Sequence, residues 1–326
     1  MTDGGRALPD LRLLVANTTL EGVLKFDPMA RQLPTLLSVA HGLRPACDLW
    51  VAPERLSVFA EWALEAGCHF AVDGYFEPLT KPLRGAVHTT TRANWRQEPA
   101  PGREAHIFVG RKRDAVDAAL SAGWYPLVVG GAMVEKHPAD HDAFGVALGY
   151  PMCCRRFFTQ RNDWHVDNTL FAAFAATRGR CQALSNPLLR HTAFGLVPHM
   201  PCSFACPETV QQATALMAVI KQEAPLYAQE LNRRLLSPAL CLSENRLYRF
   251  EGSCSAEGNR ITYGAVELLP PTPRDDSLGT LLQQGDAISL ERNIVTVELG
   301  GASVSTYFAR ADIHGPEAPF LIQCSS

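Results

Sequence analysis

The sequence predicts an α+β protein: an α/β N-terminal domain, a mainly helical middle and an antiparallel β C-terminal domain. Three observations carry that expectation. Short apolar runs alternate with helix-length segments through the first third of the chain. Residues 138–236 carry few β-branched clusters and show helical spacing of apolar residues. From Ser237 onward, short runs are separated by Gly, Asn, Pro and Asp. The expected domains are 1–132, 133–236 and 237–326.

Taken in order, "LRLLVANTT" reads as a strand and "PMARQLPTLLSVAHGL" as a helix. "CDLWVA" is a short apolar strand, "PERLSVFAEWALEAGC" a helix with Pro53 near its first position, and "HFAVDGY" another strand. Strands and helices alternating at this length predict βαβ units and a parallel sheet. "HIFVG" and "RDAVDAALSAG" add a further strand and helix after the polar segment 94–103. In "ETVQQATALMAVIKQEA", Val210, Ala213, Met217, Ile220 and Ala224 recur at helical spacing. Pro225 interrupts that pattern, and another helix runs to about Leu236. In the last segment "DAISLERNIVTVEL" reads as a hairpin turning at "ERN", part of a small antiparallel barrel or sandwich.

Composition narrows the function classes. A net charge of −3 exerts no global pull toward nucleic acid or anionic membrane. No apolar run approaches the ~20 residues of a membrane helix, so no membrane partner is expected. "MTDGGRALPD" lacks the basic-then-apolar order of a secretory signal, and a cytoplasmic location is the expectation. A reducing cytosol argues against a disulfide framework among the ten cysteines. Cys47, Cys68, Cys181, Cys241, Cys254 and Cys324 each stand alone and read as buried thiols. No dinucleotide fingerprint follows the first strand, no phosphate loop is present, and no serine-hydrolase element occurs.

The remaining cysteines form two groups. "GYPMCCRRFF" places Cys153 and Cys154 just after Pro151, and "VPHMPCSFACPE" places Cys206 just before Pro207, with Cys202 upstream. Proline favours the first position of a helix, because its missing N–H costs nothing there. Both groups are thus expected at helix starts, where the dipole and free N–H groups favour thiolates. Thiolates bind soft metals and iron–sulfur clusters. Adjacent side chains on a helix diverge by about 100°, so one of Cys153 and Cys154 is expected to ligate while the other packs. Three thiolates suit a [4Fe-4S] cluster with one open iron; a larger cluster can span both members of the pair if the turn is irregular. Zinc with His199 as fourth ligand is the alternative.

The pattern "LGYPxCCxxFF" followed by "PCxxxC" resembles a family of uncharacterised prokaryotic proteins. The matching residues are Gly149, Tyr150, Pro151, Cys153, Cys154, Phe157, Phe158, Pro201, Cys202 and Cys206. No established activity comes with that resemblance; it implies only that the cysteines matter.

Other residues complete the expected site. His137 and His141 are spaced i, i+4, and His141 is a candidate general base. Arg155 is a candidate for holding an anionic substrate or the cluster. "HTTTRANWR" (88–96) mixes Thr, Arg and Trp as an RNA-binding surface does. The leading expectation is therefore an iron–sulfur enzyme, a lyase or sulfur transferase. It would act on a small-molecule substrate through an open iron serving as Lewis acid or sulfide carrier. The alternative is a zinc-stabilised, non-catalytic protein with an RNA or protein partner.

Overall fold

The computed structural model describes residues 10–325 apart from 17, 28–29, 85–88, 124–125, 130–131, 136–139, 163–168, 244–245, 271, 274 and 309–318. It opens on helices rather than the expected strand: α1 (Leu11–Leu14), α2 (Thr19–Phe26) and α3 (Leu33–Ala40). The reason is capping. Asp10 accepts from the Arg12 amide, and Thr18 from the Leu20 amide, so each starts a short helix in an apolar run that otherwise reads as extended.

Next come β1 (Ala46–Val51), α4 (Leu56–Glu65), β2 (His69–Arg84), β3 (Thr89–Arg96), β4 (Glu104–Gly110) and α5 (Arg113–Ala122). They build a four-stranded sheet of order β1-β4-β2-β3. The expected parallel pairing is corrected here. β1 and β2 run the same way, as the α4 crossover requires. However, β4 lies between them, and every pairing in the sheet is antiparallel. The βαβ unit is present but split. The start of the polar stretch 94–103 belongs to β3, which is hairpinned onto β2. Three side chains of β3 make contacts within the sheet, while Arg96 is exposed. The Trp95 indole donates to the Asp73 carbonyl (3.3 Å), Asn94 donates to Glu77 (2.6 Å), and Arg92 pairs with Glu104 above the Trp50 ring.

The helical middle follows a short hairpin, β5 (Pro126–Val129) and β6 (Ala132–Glu135). It comprises α6 (His141–Ala147), α7 (Met152–Asn162), α8 (Thr169–Ala175), α9 (Pro207–Glu223) and α10 (Pro225–Leu235). As the sequence predicts, Pro207 and Pro225 each open a helix. The C-terminal part is β7 (Ala239–Ser243), β8 (Arg246–Cys254), β9 (Arg260–Leu269), α11 (Ser277–Leu282), β10 (Ala287–Glu291), β11 (Ile294–Leu299), β12 (Ala302–Phe308) and β13 (Phe320–Ile322). Its seven strands form one antiparallel sheet of order β12-β11-β10-β9-β8-β7-β13. The predicted hairpin is β10–β11, where Arg292 turns with φ 56°. The α+β class, with its antiparallel C-terminal sheet, is therefore observed.

One hydrophobic cluster runs from Val15 in the N-terminal segment through Leu216 and Tyr227 to Cys324. Within it α3 is buried along most of its length. β13 docks back on the middle, where Phe320 stacks on Phe174 of α8 at 3.8 Å. α10 is tied to the sheet by ions: buried Arg234 pairs with Glu230 (2.6 Å) and Glu267 (2.8 Å), and Glu267 also takes Arg249 (2.7 Å). The tail carries a second correction. Cys181 and Cys324 are joined as a disulfide with Cα atoms 4.5 Å apart, not held as separate thiols. Backbone hydrogen bonds from Ser325 to Cys181 and from Ala183 to Ser325 fix the same junction. Cys47, Cys68 and Cys241 are buried and Cys254 half-buried, each outside the disulfide. No helix among the described residues is long and apolar enough to cross a membrane.

Candidate metal centre

The element that builds the site is the turn from α6 to α7. Gly149 ends α6 in the left-handed region (φ 71°), and its amide bonds the Val146 carbonyl at 3.0 Å. A Cβ at this position would also lie 2.6 Å from Pro45, so glycine is required by both backbone and packing. Tyr150 and Pro151 then turn the chain, and α7 starts at Met152 with both cysteines in its first turn. The other half is the loop before α9. Phe204 is buried; its amide bonds the Thr177 hydroxyl (2.9 Å), and its carbonyl accepts from Ser185 (2.6 Å) and from the Gln182 amide (2.8 Å). That anchoring fixes Cys202 on one side and Cys206 on the other. Cys206 is the N-cap of the 17-residue α9, as its position before Pro207 predicts.

The four thiols meet. The sulfurs of Cys153 and Cys154 are 3.8 Å apart, and each lies 3.6 Å from that of Cys206. With Cys202 included, the four Sγ atoms all lie within 4.8 Å of one another, a group that can hold a metal ion. Cys154 and Cys206 are buried; Cys153 and Cys202 are half-buried. The divergence expected of adjacent helical side chains does not send one of the pair away. In the first turn no preceding turn blocks a χ1 rotamer, so the two thiols swing toward each other and both join the group.

The electrostatics of the four are unequal. Cys206 is pulled down to about 4, first by the hydrogen bond from the Cys154 thiol. Cys154 is pushed up, because its thiol serves as that donor and is buried. Burial pushes Cys153 up to about 12 and also raises Cys202. Helix starts alone therefore do not make thiolates of all four: without metal, Cys206 holds the negative charge and its neighbours donate to it. A metal would have to displace the remaining protons. Donors already face the sulfurs, since the Cys202 amide points at Cys154 Sγ (3.4 Å).

Around the thiols lies a polar layer that sequence reasoning missed. The Thr209 hydroxyl stands 3.4 Å from Cys154 Sγ and 3.0 Å from Nε2 of His199. Thr209 sits three residues beyond the Cys206 N-cap, the position from which side chains reach back to a cap, and that spacing was the available signal. His199 is buried and is not a member of the thiol group. Burial first, then Arg44, hold it down to about 3, and its Nδ1 has no hydrogen-bond partner among the described residues. Its ring packs on Tyr150 at 5.1 Å.

The other predicted residues are placed as follows. His141 opens α6 with its ring 5.3 Å from Phe158, outside the thiol group. His137 lies outside the described residues. Arg155 is occupied in joining α6 to α7: it pairs with Asp142 at 2.5 Å and donates to the Tyr150 carbonyl at 3.2 Å. Comparison with known proteins adds no name to this geometry: no family model, no curated protein and no solved structure matches the chain.

Proposed function

We propose that Cys153, Cys154, Cys202 and Cys206 hold one tetrahedral zinc ion, and that the ion staples the start of α7 to the start of α9. The observation that carries this reading is the sulfur spacing. Four thiolates around zinc at about 2.3 Å sit roughly 3.8 Å apart along the edges of the tetrahedron, and the closest sulfur pairs here are 3.6–3.8 Å apart. In a [4Fe-4S] cluster each cysteine takes a different iron, so the sulfurs stand apart by the width of the cluster rather than in contact. Soft, all-thiolate, tetrahedral donor sets select zinc or iron. A site whose four positions are all filled by protein has no open position for substrate, which is the structural type. The reading is thus of a zinc-stabilised protein whose metal does not itself perform chemistry.

A second reading keeps the [4Fe-4S] enzyme, with His141 as base and Arg155 beside it. It draws on the half-buried state of Cys153 and Cys202. Anaerobic purification with metal and sulfide analysis separates the two. About one zinc per chain and a colourless protein is the expected result. About four irons and four sulfides with a brown chromophore would overturn the zinc reading.

A further inference from the structure

Beside the Gly-Tyr-Pro turn lies a cavity of about 260 Å³, lined in part by Leu148 and Tyr150. That is just below the ~300–1,000 Å³ typical of drug-sized ligand sites, so it suits a small metabolite. Arg44, Arg190, His191, Asp48, Thr35 and Tyr150 are among its lining residues. We propose that this cavity binds a small oxyanion-bearing molecule, a carboxylate or phosphate, with Arg44 as its principal anchor and Arg190 as a second cation.

Arg44 is the reason. Its side chain belongs to a residue only 7% exposed, yet no carboxylate pairs with it among the described residues. Its two hydrogen bonds go to neutral oxygens at long range: the Leu148 carbonyl (3.3 Å) and Gln212 Oε1 (3.4 Å). It lies over the Tyr150 ring at 5.3 Å, a contact that favours the cation without neutralising it. A guanidinium carries five N–H donors and stays charged in proteins. A buried cation without a partner is costly unless something compensates it; here the side chain lines a cavity large enough to admit the missing anion. The planar fork of the group matches carboxylate and phosphate oxygens. The one carboxylate lining the cavity, Asp48, is hydrogen-bonded to buried His106 (3.2 Å), which also holds Asp73 (3.3 Å). Arg44, with no carboxylate partner among the described residues, supplies the uncompensated positive charge of the lining.

The site is held by the same motif as the metal centre. The Gln212 amide donates to the Gly149 carbonyl (3.0 Å) while its oxygen accepts from Arg44, and Tyr150 has Arg44 and His199 as ring neighbours. The inference does not depend on which metal, if any, the thiols bind.

The test is calorimetric titration of the full-length, metal-loaded protein at low ionic strength, with sodium phosphate in one arm and sodium succinate in the other. One of the two is expected to bind at one site per chain. Arg44→Gln should weaken that binding by at least about tenfold, the loss expected of one charge-assisted contact, and Arg190→Gln should weaken it several-fold with metal content unchanged. Arg190 is only half-buried, so its variant serves even if Arg44→Gln does not fold. Binding of neither anion to the wild type overturns the proposal. Binding that Arg190→Gln leaves unchanged overturns the site as drawn, because the anion then sits elsewhere.

Discussion

Two cysteine junctions hold this chain together, and they are built on different terms. At one, Cys181 and Cys324 bridge 143 residues through a single covalent bond, beside a backbone pairing that aligns the same segments. At the other, Cys153, Cys154, Cys202 and Cys206 crowd together without a disulfide, flanked by an amide, a threonine hydroxyl and two helix starts. The first junction needs only two sulfurs and an oxidant. The second surrounds its sulfurs with donors, an arrangement useful for stabilising thiolates rather than for oxidising them. The same residue type thus supplies a lock in one place and a candidate ligand set in the other, and what distinguishes them is the polar layer.

The largest effect expected is at the ligand set. Cys154→Ala and Cys206→Ala should each drop bound metal from about one to below roughly 0.1 per chain and lower the melting temperature by about 10 °C or more, because metal binding energy at such a site is folding energy. Cys153→Ala should match them, since its sulfur is as close to Cys206 as that of Cys154. Metal analysis of the three variants checks this. If Cys153→Ala keeps its metal while Cys154→Ala does not, the pair divides into one ligand and one packing thiol, and the comparison is blunted. The lock comes next. Cys324→Ser should cost about 3–5 kcal/mol by the loop-closure argument for a long loop, while metal content stays at the wild-type value. Loss of metal in that variant would show that the two junctions are one cooperative unit.

A smaller effect is expected where the turn meets the N-terminal segment. Gly149→Ala forces a methyl against Pro45 and a side chain into the left-handed region, for about 2–3 kcal/mol in denaturant unfolding. A variant as stable as the wild type would mean that α6 can end in another conformation.

What was legible in the sequence follows the range of the interaction that decides it. Cys206 as an N-cap, Pro207 and Pro225 as helix openers and the β10–β11 hairpin are settled within a few residues, and all are where the sequence puts them. Asp10 and Thr18 were equally local signals for helix, but the apolar run "LRLLV" outweighed them in a strand reading. The insertion of β4 between β1 and β2 depends on sheet pairing across the domain, which no local pattern records. The Cys181–Cys324 pairing is longer in range still, and cysteine count alone does not give connectivity. At the candidate metal centre the two cysteine groups and the helix starts were legible. The convergence of adjacent thiols and the partnership of Arg44 with Tyr150 were not, since the first depends on where α7 and α9 meet and the second on how the segment before β1 packs on the α6–α7 turn.

The smallest effect is the one that tests the polar layer itself. Thr209→Val keeps the shape of the side chain and removes its hydroxyl. The hydroxyl lies 3.0 Å from His199 Nε2 and 3.4 Å from Cys154 Sγ, and it also helps hold Cys206 in its thiolate form. Neither His199 nor the sulfurs of Cys154 and Cys206 can reach water to replace it, because these residues and Thr209 are all buried. Leaving a buried polar partner unmet costs about 1–3 kcal/mol, so the loss should fall in that range with metal still bound. Thr209→Ser should recover most of it, because the hydroxyl returns even though a methyl is lost. If valine and serine behave alike, the threonine serves only to fill space. The contrast between a bare disulfide and a buffered set of thiolates would then rest on the sulfurs and their amide donors alone.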